Sequence, residues 1–297
     1  MPIFVGLDCG GSSCRALAVD DAGNQVHIGQ SGPANLASTP PKRLETNVLK
    51  TLDGCPSPDF VAGCFAGLLT EDDRRRALEL LSWAAPRAKV IAEPDYVAAY
   101  LACDEDTDIC LIAGTGSLIC SRYEGKVVKS GGGGYLLGDF GSACQYGRAV
   151  LSQFLVVGES GMTEPTRSLI EKQFGSTQEN EVLAGLYRGG APAARLAKLA
   201  PAISRDANAG EPYALLALRE QTAHLASILR SHADRYHKGA TELRICLAGG
   251  LWEASPIFQS QLEMAVNAAL AGYGPTLTRL ARPPVQGAVR LAQQLAQ

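Results

Sequence analysis

Short apolar runs separated by glycine-rich turns open the chain, and the same order recurs from residue 109. Residues 3–9 and 14–19 are apolar runs on either side of the turn at 10–13, and a third run at 25–30 follows a turn at 20–24. Glycine and Asx residues supply the positive φ that such tight turns need. The runs at 110–113, 118–123 and 127–128 repeat this order around the turn at 114–117. The pattern predicts an internal duplication, with each copy opening as a three-stranded meander.

Helical spacing and short apolar runs predict the elements that follow each meander. The first half reads as helix 42–52, strand 60–66, a helix capped by Thr70, strand 88–92 and helix 94–103; the second half reads as helix 143–157, short helices within 163–200, helix 212–237, strand 242–247, helix 255–270, strand 276–278 and helix 284–296. We expect the last helix to return to the first domain. The predicted domains are therefore 1–108 with 280–297, and 109–279.

Composition narrows the class of protein. The chain has 297 residues, of which 46% are hydrophobic and 19% charged, and this fits an α/β protein of two domains. The net charge is −3 and no Lys/Arg run is longer than three residues, which argues against nucleic acid or a membrane as a partner. No stretch reaches the length of a membrane span, and the N-terminus begins directly with a predicted strand.

Cysteine and histidine usage limits the chemistry further. The nine cysteines are scattered in apolar runs without a CxxC pair, so we expect buried free thiols in a reducing cytoplasm and no zinc or iron–sulfur site. Of the four histidines, His224, His232 and His237 fall on one polar helix, where we expect them to be solvated. No catalytic triad is indicated.

The turn at Gly114–Ser117 follows an apolar strand and has the composition of a phosphate-binding loop. Glycine at 114 and 116 allows positive φ and leaves no Cβ in the way, so that consecutive N–H groups can face an anion while Thr115 and Ser117 add hydroxyl donors. A glycine hairpin turn is as often purely structural. Two of them in equivalent places of a duplicated chain favour a grip on the β- and γ-phosphates of a nucleotide, with Asp8 holding magnesium through water.

Several polar residues near these turns have both a structural and a functional interpretation. Asp95 follows Glu93-Pro94 and either stabilises a helix N-terminus or acts as a general base. Asp139 is either a helix N-cap or a ligand of sugar hydroxyls, and Asn35 is an amide of the kind that satisfies a loop. Gly249-Gly250 after an apolar strand forms either an ordinary turn or a surface for adenosine. A Walker lysine, a Gly-x-Ser-x-Gly motif and the protein-kinase motif set are absent.

In this order the motifs resemble those of the BadF/BadG/BcrA/BcrD ATPase family, within the sugar-kinase, Hsp70 and actin superfamily, and most of all its N-acetylglucosamine and glucosamine kinases. The similarity covers nearly the whole chain. Its motifs are Leu7–Ala16 and Ile112–Ser117 for phosphate, Ser31–Asn35 and Leu137–Ser142 for sugar, Glu93–Asp95 for catalysis, Leu247–Gly250 for adenosine and Pro284–Ala288 at the C-terminus.

The resemblance implies an α/β fold of two duplicated ribonuclease H-like (actin-like ATPase) domains around a central cleft. It implies a cytoplasmic, ATP- and Mg²⁺-dependent kinase that phosphorylates N-acetylglucosamine or glucosamine at the 6-hydroxyl, with a homodimer expected by analogy. The first domain would form the sugar and phosphate side and the second the nucleotide side. The implied residues are Asp95 as catalytic base; Asp8, Gly10, Gly11, Ser12, Ser13, Gly114, Thr115, Gly116, Gly210, Gly249 and Gly250 for ATP and phosphate; Asn35, Asp95, Ser117, Gly133, Gly134 and Asp139 for sugar; and Asp8 for the metal.

Two positions depart from the family pattern. Gly133 stands where these kinases commonly carry Trp, and Phe140 replaces an acidic or amide residue. Both positions bear on the identity of the sugar. The alternatives are an activator ATPase of the BadF type, which uses an iron–sulfur cluster between subunits, and a non-catalytic sugar sensor on the same fold.

Overall fold

The chain divides into two compact α/β units. The computed structural model describes residues 1–188 and 190–297. Unit 1 comprises Met1–Asp106 and Leu280–Gln297, and unit 2 comprises Thr107–Arg279. Each unit contains its own five-stranded sheet.

The elements follow the predicted order along the chain. The strands are β1 Phe4–Cys9, β2 Cys14–Val19, β3 Gln25–Ser31, β4 Phe60–Phe65, β5 Lys89–Pro94, β6 Ile109–Ala113, β7 Ser117–Tyr123, β8 Lys126–Gly131, β9 Leu243–Ala248 and β10 Pro275–Arg279. The helices are α1 Pro41–Leu52, α2 Glu71–Ala84, α3 Asp95–Ala102, α4 Gly134–Leu137, α5 Ala143–Val157, α6 Glu164–Phe174, α7 Glu179–Arg188, α8 Pro192–Ala197, α9 Ala200–Asn208, α10 Pro212–Tyr236, α11 Leu251–Ala254, α12 Pro256–Ala269 and α13 Pro284–Gln294.

The two sheets have the same topology. The strand order is β3-β2-β1-β4-β5 in unit 1 and β8-β7-β6-β9-β10 in unit 2. In each sheet the first three strands form an antiparallel meander, and the last two run parallel to the first strand. The predicted α/β fold built by internal duplication is therefore confirmed.

The C-terminal helix α13 is part of unit 1 and packs against β1 and α3. An ideal Cβ at Gly6 of β1 would lie 2.3 Å from the Val289 nitrogen, and one at Gly287 would lie 1.9 Å from the Ala98 carbonyl oxygen. Glycine at both positions allows the helix to approach the strand and α3 backbone to backbone. A side chain at either position would separate α13 from the core of unit 1.

Two local features differ from the prediction. Helix α4 was not predicted, because four residues are too few to show a helical period. Pro94 is the last residue of β5 and the N-cap of α3 rather than a residue in the first turn of the helix. Since β5 is the edge strand of its sheet, a proline at its end removes no ladder hydrogen bond.

Candidate active site

The turn between β1 and β2 carries the first predicted phosphate motif and is tied to the loop that holds Asn35. The Gly10 N–H donates to the Ser13 carbonyl at 2.9 Å, and the Gly10 carbonyl accepts from the Ala34 N–H at 3.0 Å. Gly11 and Ser12 are exposed, so their polar groups face solvent. Gly10 and Gly11 do not adopt the predicted positive φ. Gly10 and Gly11 therefore matter at this turn because they have no side chain, and this leaves the backbone accessible to a ligand.

Asp8 and Asp95 form a pair of carboxylates within unit 1. The register places Asp8 of β1 opposite Cys64 of β4, and Cys64 opposite Glu93 of β5, two residues before Asp95. These three strands are parallel, so both acids lie at the carboxyl ends of the strands, where open α/β sheets bind their ligands. Burial, and then the charge of Asp95, raise the pKa of Asp8 to about 6, and Arg15 opposes this rise.

An arginine on α2 holds the segment that leads into Asp95. The Arg74 guanidinium donates to the Ala92 carbonyl, and its Nη1 lies 3.0 Å from Glu93 Oε1. Both side chains of this ion pair are mostly shielded from solvent. Sequence reasoning missed Arg74, since no local spacing links a residue of α2 to the end of β5. The capping box of α2, between Thr70 and Asp73, agrees with the prediction.

Asn35 is engaged in its own loop. Its Oδ1 accepts from the N–H groups of Ala37 at 2.8 Å and Ser38 at 3.1 Å, and its N–H donates to Thr39 Oγ1 at 3.0 Å. The structural interpretation of Asn35, in which its amide forms hydrogen bonds within the loop, is thus correct for the side-chain oxygen. Its Nδ2 lies 4.0 Å from an ideal Cβ at Gly11, which places the remaining donor beside the first phosphate turn.

The second glycine turn is held against the N-terminus of α5. The Gly114 and Thr115 carbonyls accept from the Ala143 and Cys144 N–H groups at 2.9 and 3.2 Å, and the Gly114 N–H donates to the Gly116 carbonyl at 2.8 Å. Gly114 and Gly116 do not use the positive φ that glycine allows. Space is the reason for glycine at 116, because a Cβ there would stand 2.8 Å from the Asp139 carboxylate.

Asp139 bridges this turn and the four-glycine loop. Its Oδ1 accepts from the Ser117 N–H at 3.2 Å, and its own N–H donates to the Gly132 carbonyl at 3.2 Å. Asp139 has a left-handed φ of 54°, and it is not the N-cap of α5, which is Ser142. Burial raises the pKa of Asp139, and the Ser117 N–H and Lys129 oppose that rise. The structure thus brings together Gly116, Ser117 and Asp139.

The loop before Asp139 is a run of left-handed glycines. Gly131 to Gly134 have φ between 75° and 91°, and ideal Cβ atoms at Gly133 and Gly134 would meet no atom within 4 Å. The Phe140 ring packs edge-on against His224 of α10 at a centroid distance of 4.8 Å. The Phe140 carbonyl accepts from Ser117 Oγ at 2.6 Å. The ring contact with His224 means that the Phe140 side chain packs against α10.

Gly249 and Gly250 of the predicted adenosine motif, and Gly210 of the predicted ATP-binding set, lie in two turns of unit 2. Gly249 ends β9 with a φ of 99°, and a Cβ there would stand 2.3 Å from the Ala113 carbonyl, so this turn abuts the start of the second phosphate loop. Gly250 is the N-cap of α11. Gly210, with a φ of 86°, lies in the turn between α9 and α10, where the Glu211 N–H donates to the Asp206 carbonyl at 2.9 Å.

That turn is anchored by a buried carboxylate that sequence reasoning missed. Asp206 is 2% exposed and accepts from Thr163 Oγ1 at 2.7 Å, from Thr166 Oγ1 at 2.8 Å and from the Tyr213 hydroxyl. Burial, and then the bond to Asp206, raise the pKa of Tyr213. No motif links these four residues, because they come from α6, the turn before it, α9 and α10.

The prediction that all three histidines of α10 and its end are solvated is wrong for His232. His232 is fully buried between Ser121 Oγ and Ser130 Oγ, each 2.8 Å from a ring nitrogen. Burial, and then neighbouring His237, lower the pKa of His232 to about 4. The imidazole joins α10 to β7 and β8 and is neutral at pH 7.

The nine cysteines all lie in the described ranges and are thiols, eight of them buried and Cys55 half-buried. In the part of the chain that the structure describes, no cluster of three or more His, Cys, Asp or Glu residues suits a metal ion. No helix within residues 1–188 and 190–297 has the length and apolar character needed to cross a bilayer.

One family model and two amino-sugar kinases match most of this chain. The model of the BadF/BadG/BcrA/BcrD ATPase family matches residues 5–292. The glucosamine kinase GspK of Vibrio cholerae is 27% identical over 273 residues, which cover 87% of this chain and 90% of that protein. The N-acetyl-D-glucosamine kinase of Dictyostelium discoideum is 25% identical over 77% of this chain and 78% of its own.

The fold is shared with solved sugar kinases. A protein from Chromobacterium violaceum, provisionally assigned as an N-acetylglucosamine kinase, superposes with a TM-score of 0.76 at 25% identity and covers 99% of both chains. A ROK family glucokinase from Streptomyces griseus, solved with glucose and AMPPNP, gives a TM-score of 0.60 at 16% identity over 98% of this chain and 99% of its own. The second likeness concerns the fold alone.

Proposed function

Because the chain belongs to the BadF/BadG/BcrA/BcrD ATPase family, we propose that it is an ATP-dependent amino-sugar kinase that phosphorylates the 6-hydroxyl of N-acetylglucosamine or glucosamine. The observation that carries this proposal is the pair Asp8 and Asp95 at the carboxyl ends of the unit 1 strands. It occurs in a chain that is similar over most of its length to kinases of these two sugars.

Asp95 is the proposed general base. Phosphoryl transfer needs a carboxylate that accepts the proton of the attacking hydroxyl. Asp95 begins α3, and the Arg74–Glu93 ion pair restrains the two residues before it. The segment is therefore held in place before substrate binds, which lowers the cost of orienting the base.

Asp8 is the proposed contact for Mg²⁺, through water. The donor set fits that ion, because Mg²⁺ is usually bound by one or two carboxylates together with waters and substrate phosphates. The raised pKa of Asp8 reflects burial next to a second carboxylate, an environment that a cation relieves. When bound, the ion supplies charge neutralisation for the phosphates.

The two glycine turns, at residues 10–13 and 114–117, are the proposed phosphate cradles. Gly249 and Gly250 are the proposed adenosine contacts, and Gly210 is a further proposed ATP contact. Unit 1 thus supplies the base and the metal ligand, and unit 2 most of the nucleotide side. Residues 10–13 leave small, exposed groups at the turn. The tie between Gly114-Thr115 and the N-terminus of α5 fixes the backbone of the second turn.

For the sugar we propose Asn35, Ser117, Gly133, Gly134 and Asp139, together with Asp95. The hydrogen bonds define what each can offer. Asn35 retains its Nδ2 donor, because Oδ1 is used within its loop. Ser117 Oγ donates to Phe140 and so can accept from a sugar hydroxyl, and Asp139 retains Oδ2 as an acceptor. Gly133 and Gly134 leave open space for the ring.

The protein would act in the cytoplasm, where nine thiols remain reduced.

The test of the kinase proposal is ADP release measured with N-acetylglucosamine, glucosamine, glucose and N-acetylmannosamine, with the position of the phosphate in the product determined by ³¹P NMR. We expect ADP only with N-acetylglucosamine or glucosamine, and a 6-phosphate product. Sugar-independent hydrolysis of ATP would indicate an activator ATPase, and sugar binding without ADP release would indicate a sensor; either result overturns the kinase proposal.

A further inference from the structure

Two thiols face each other across the hairpin that carries the first phosphate turn. Cys9 ends β1, Cys14 begins β2, and the strand register pairs them directly on either side of residues 10–13. Their Sγ atoms are 3.2 Å apart, and both side chains are fully buried. No part of the proposed phosphoryl transfer uses either thiol.

The backbone at this pair suits a disulfide. Gly10 and Ser13 are joined by a backbone hydrogen bond, so Cys9 and Cys14, one step further along, form a non-hydrogen-bonded pair. The Cys9 carbonyl agrees with this geometry, because it accepts from the Ala66 N–H at 2.8 Å on the side of β4. Facing Cα atoms at such positions lie about 4.5 Å apart, within the range of about 4.4–6.8 Å that a disulfide spans.

The surroundings favour a bond between these two thiols over one with their neighbour Cys64. Cys64 pairs in register with Asp8, and side chains alternate between the two faces of a sheet, so Cys64 lies on the opposite face from Cys9.

We propose that Cys9 and Cys14 form a reversible modification site, at which a hydroperoxide oxidises the two thiols to a disulfide across the phosphate turn. The first thiolate attacks the peroxide oxygen, which breaks the O–O bond, releases an alcohol or water and leaves a sulfenic acid. The second thiol attacks that sulfur; the S–S bond forms and water leaves. In sum, two thiols and one hydroperoxide give one disulfide, one alcohol (or water) and one water.

The bond would change the turn. A disulfide sets the sulfur atoms at about 2.05 Å, so the sulfurs, now 3.2 Å apart, must move together and draw the strand ends beside Asp8 and Gly10 with them. On the proposed function, this turn contacts the phosphates of ATP, so oxidation raises the KM for ATP.

The site is tested by mass spectrometry on the full chain. The reduced protein is treated with hydrogen peroxide, denatured, alkylated with N-ethylmaleimide and cut with trypsin, which places both cysteines in the peptide Met1–Arg15. We expect this peptide to lack both labels and to be about 2 Da lighter than the dithiol form, from the loss of two hydrogen atoms, with dithiothreitol restoring labelling. Labelled Cys9 and Cys14, sulfinic acid at either residue, or a bond from either residue to another cysteine overturns the proposal.

Matched variants connect the bond with activity. Cys9→Ala and Cys14→Ser cannot form the bond, whereas Cys55→Ala removes a half-buried thiol elsewhere in unit 1. We expect peroxide to raise the ATP KM of the wild type and of Cys55→Ala at least threefold, reversibly, and to leave that of the Cys9 and Cys14 variants unchanged. An unchanged KM in a protein shown to carry the disulfide overturns the effect on nucleotide binding. Disulfide formation in a protein without sugar-dependent ADP release supports the site and refutes the kinase proposal.

Discussion

The carboxylate of Asp139 occupies the space that a side chain at position 116 would take. An ideal Cβ at Gly116 would lie 2.8 Å from Asp139 Oδ2 and 2.9 Å from Oδ1. Contacts this short do not occur for real side chains, so either the turn or the carboxylate must move. The second glycine turn and the proposed sugar ligand are therefore one structural unit.

Gly116→Ala should displace Asp139 and weaken sugar binding. We expect kcat/KM for the sugar to fall at least tenfold, or about 1.4 kcal/mol, with most of the change in KM. The matched control is Gly272→Ala in the same unit, where the added methyl group meets no atom within 4 Å and the φ is not left-handed. Steady-state kinetics with varied sugar check the prediction, and equal kinetics for the two variants would contradict it.

Asp95→Asn separates the two interpretations of that residue. If Asp95 is the general base, kcat falls by about 10²–10⁴-fold. If it only stabilises the N-terminus of α3, the loss is about 0.3–1 kcal/mol of stability and the rate is kept. Asp72→Asn, an exposed acid in the first turn of α2, is the control for the helix effect. Single-turnover rates and urea unfolding of both variants distinguish the two outcomes.

The fold was largely predictable because apolar runs and turn residues report strands directly. Strand β2 and helix α5 begin and end at the predicted residues. Asp8, Asp95 and the two glycine turns could be found because each follows a strand end. Arg74 and Asp206 could not, since their partners are distant in sequence and only tertiary packing brings them together.

Backbone angles and burial were the weaker inferences. A glycine is equally compatible with positive φ and with a missing side chain, and Gly116 proved to be the second case. The sequence prediction that His232 is solvated failed because α10 is polar on average. The His232 ring nevertheless lies on the buried face of that helix.

Asp8→Asn should stabilise the metal-free protein at neutral pH. The pKa of Asp8 is about 6 in the folded chain against an ordinary value of 3.8, so the folded state binds the proton more tightly than the unfolded state. The wild type therefore loses stability as pH rises from about 4 to above 6, by on the order of 3 kcal/mol. We expect the variant to be more stable by that amount at pH 7.5, with the difference vanishing near pH 4.

Urea unfolding in EDTA at both pH values measures this difference, and Asp21→Asn, an exposed acid in the β2–β3 turn, serves as the control. The same Asp8 variant should lose sugar-dependent ADP release. A variant less stable than wild type at pH 7.5 would show that Asp8 makes a net favourable contribution in the ionised form, contrary to the prediction.

Thr166→Val removes one donor from the buried Asp206 and leaves the shape of the side chain almost unchanged. Thr166 is fully buried, and its hydroxyl is 2.8 Å from Asp206 Oδ2. A buried carboxylate that loses a hydrogen bond costs about 1–3 kcal/mol. We expect that loss in urea unfolding and a raised KM for ATP, because Asp206 anchors the Gly210 turn. Thr46→Val, at an exposed hydroxyl on α1, should change stability little and leave that KM unchanged.

His232 should make unit 2 sensitive to acid. A neutral imidazole has one donor and one acceptor nitrogen, so one of Ser121 and Ser130 donates to it and the other accepts. Protonation turns both nitrogens into donors and places a charge beside His237 in a buried site. The pKa of about 4 lies below the ordinary 6.5, so the unfolded state binds more protons between these values and stability falls as pH drops through them.

The size and origin of this loss can be measured with His232→Gln, whose amide also has one acceptor and donors but does not titrate. Between pH 7 and pH 4 we expect the wild type to lose on the order of 3 kcal/mol more unfolding free energy than the variant. His237 also has a lowered pKa, caused by burial and opposed by Asp108, so His237→Gln is measured alongside to separate the contributions of the two rings. Equal pH profiles for wild type and His232→Gln would mean that acid opens the β7–β8–α10 packing without protonating this ring.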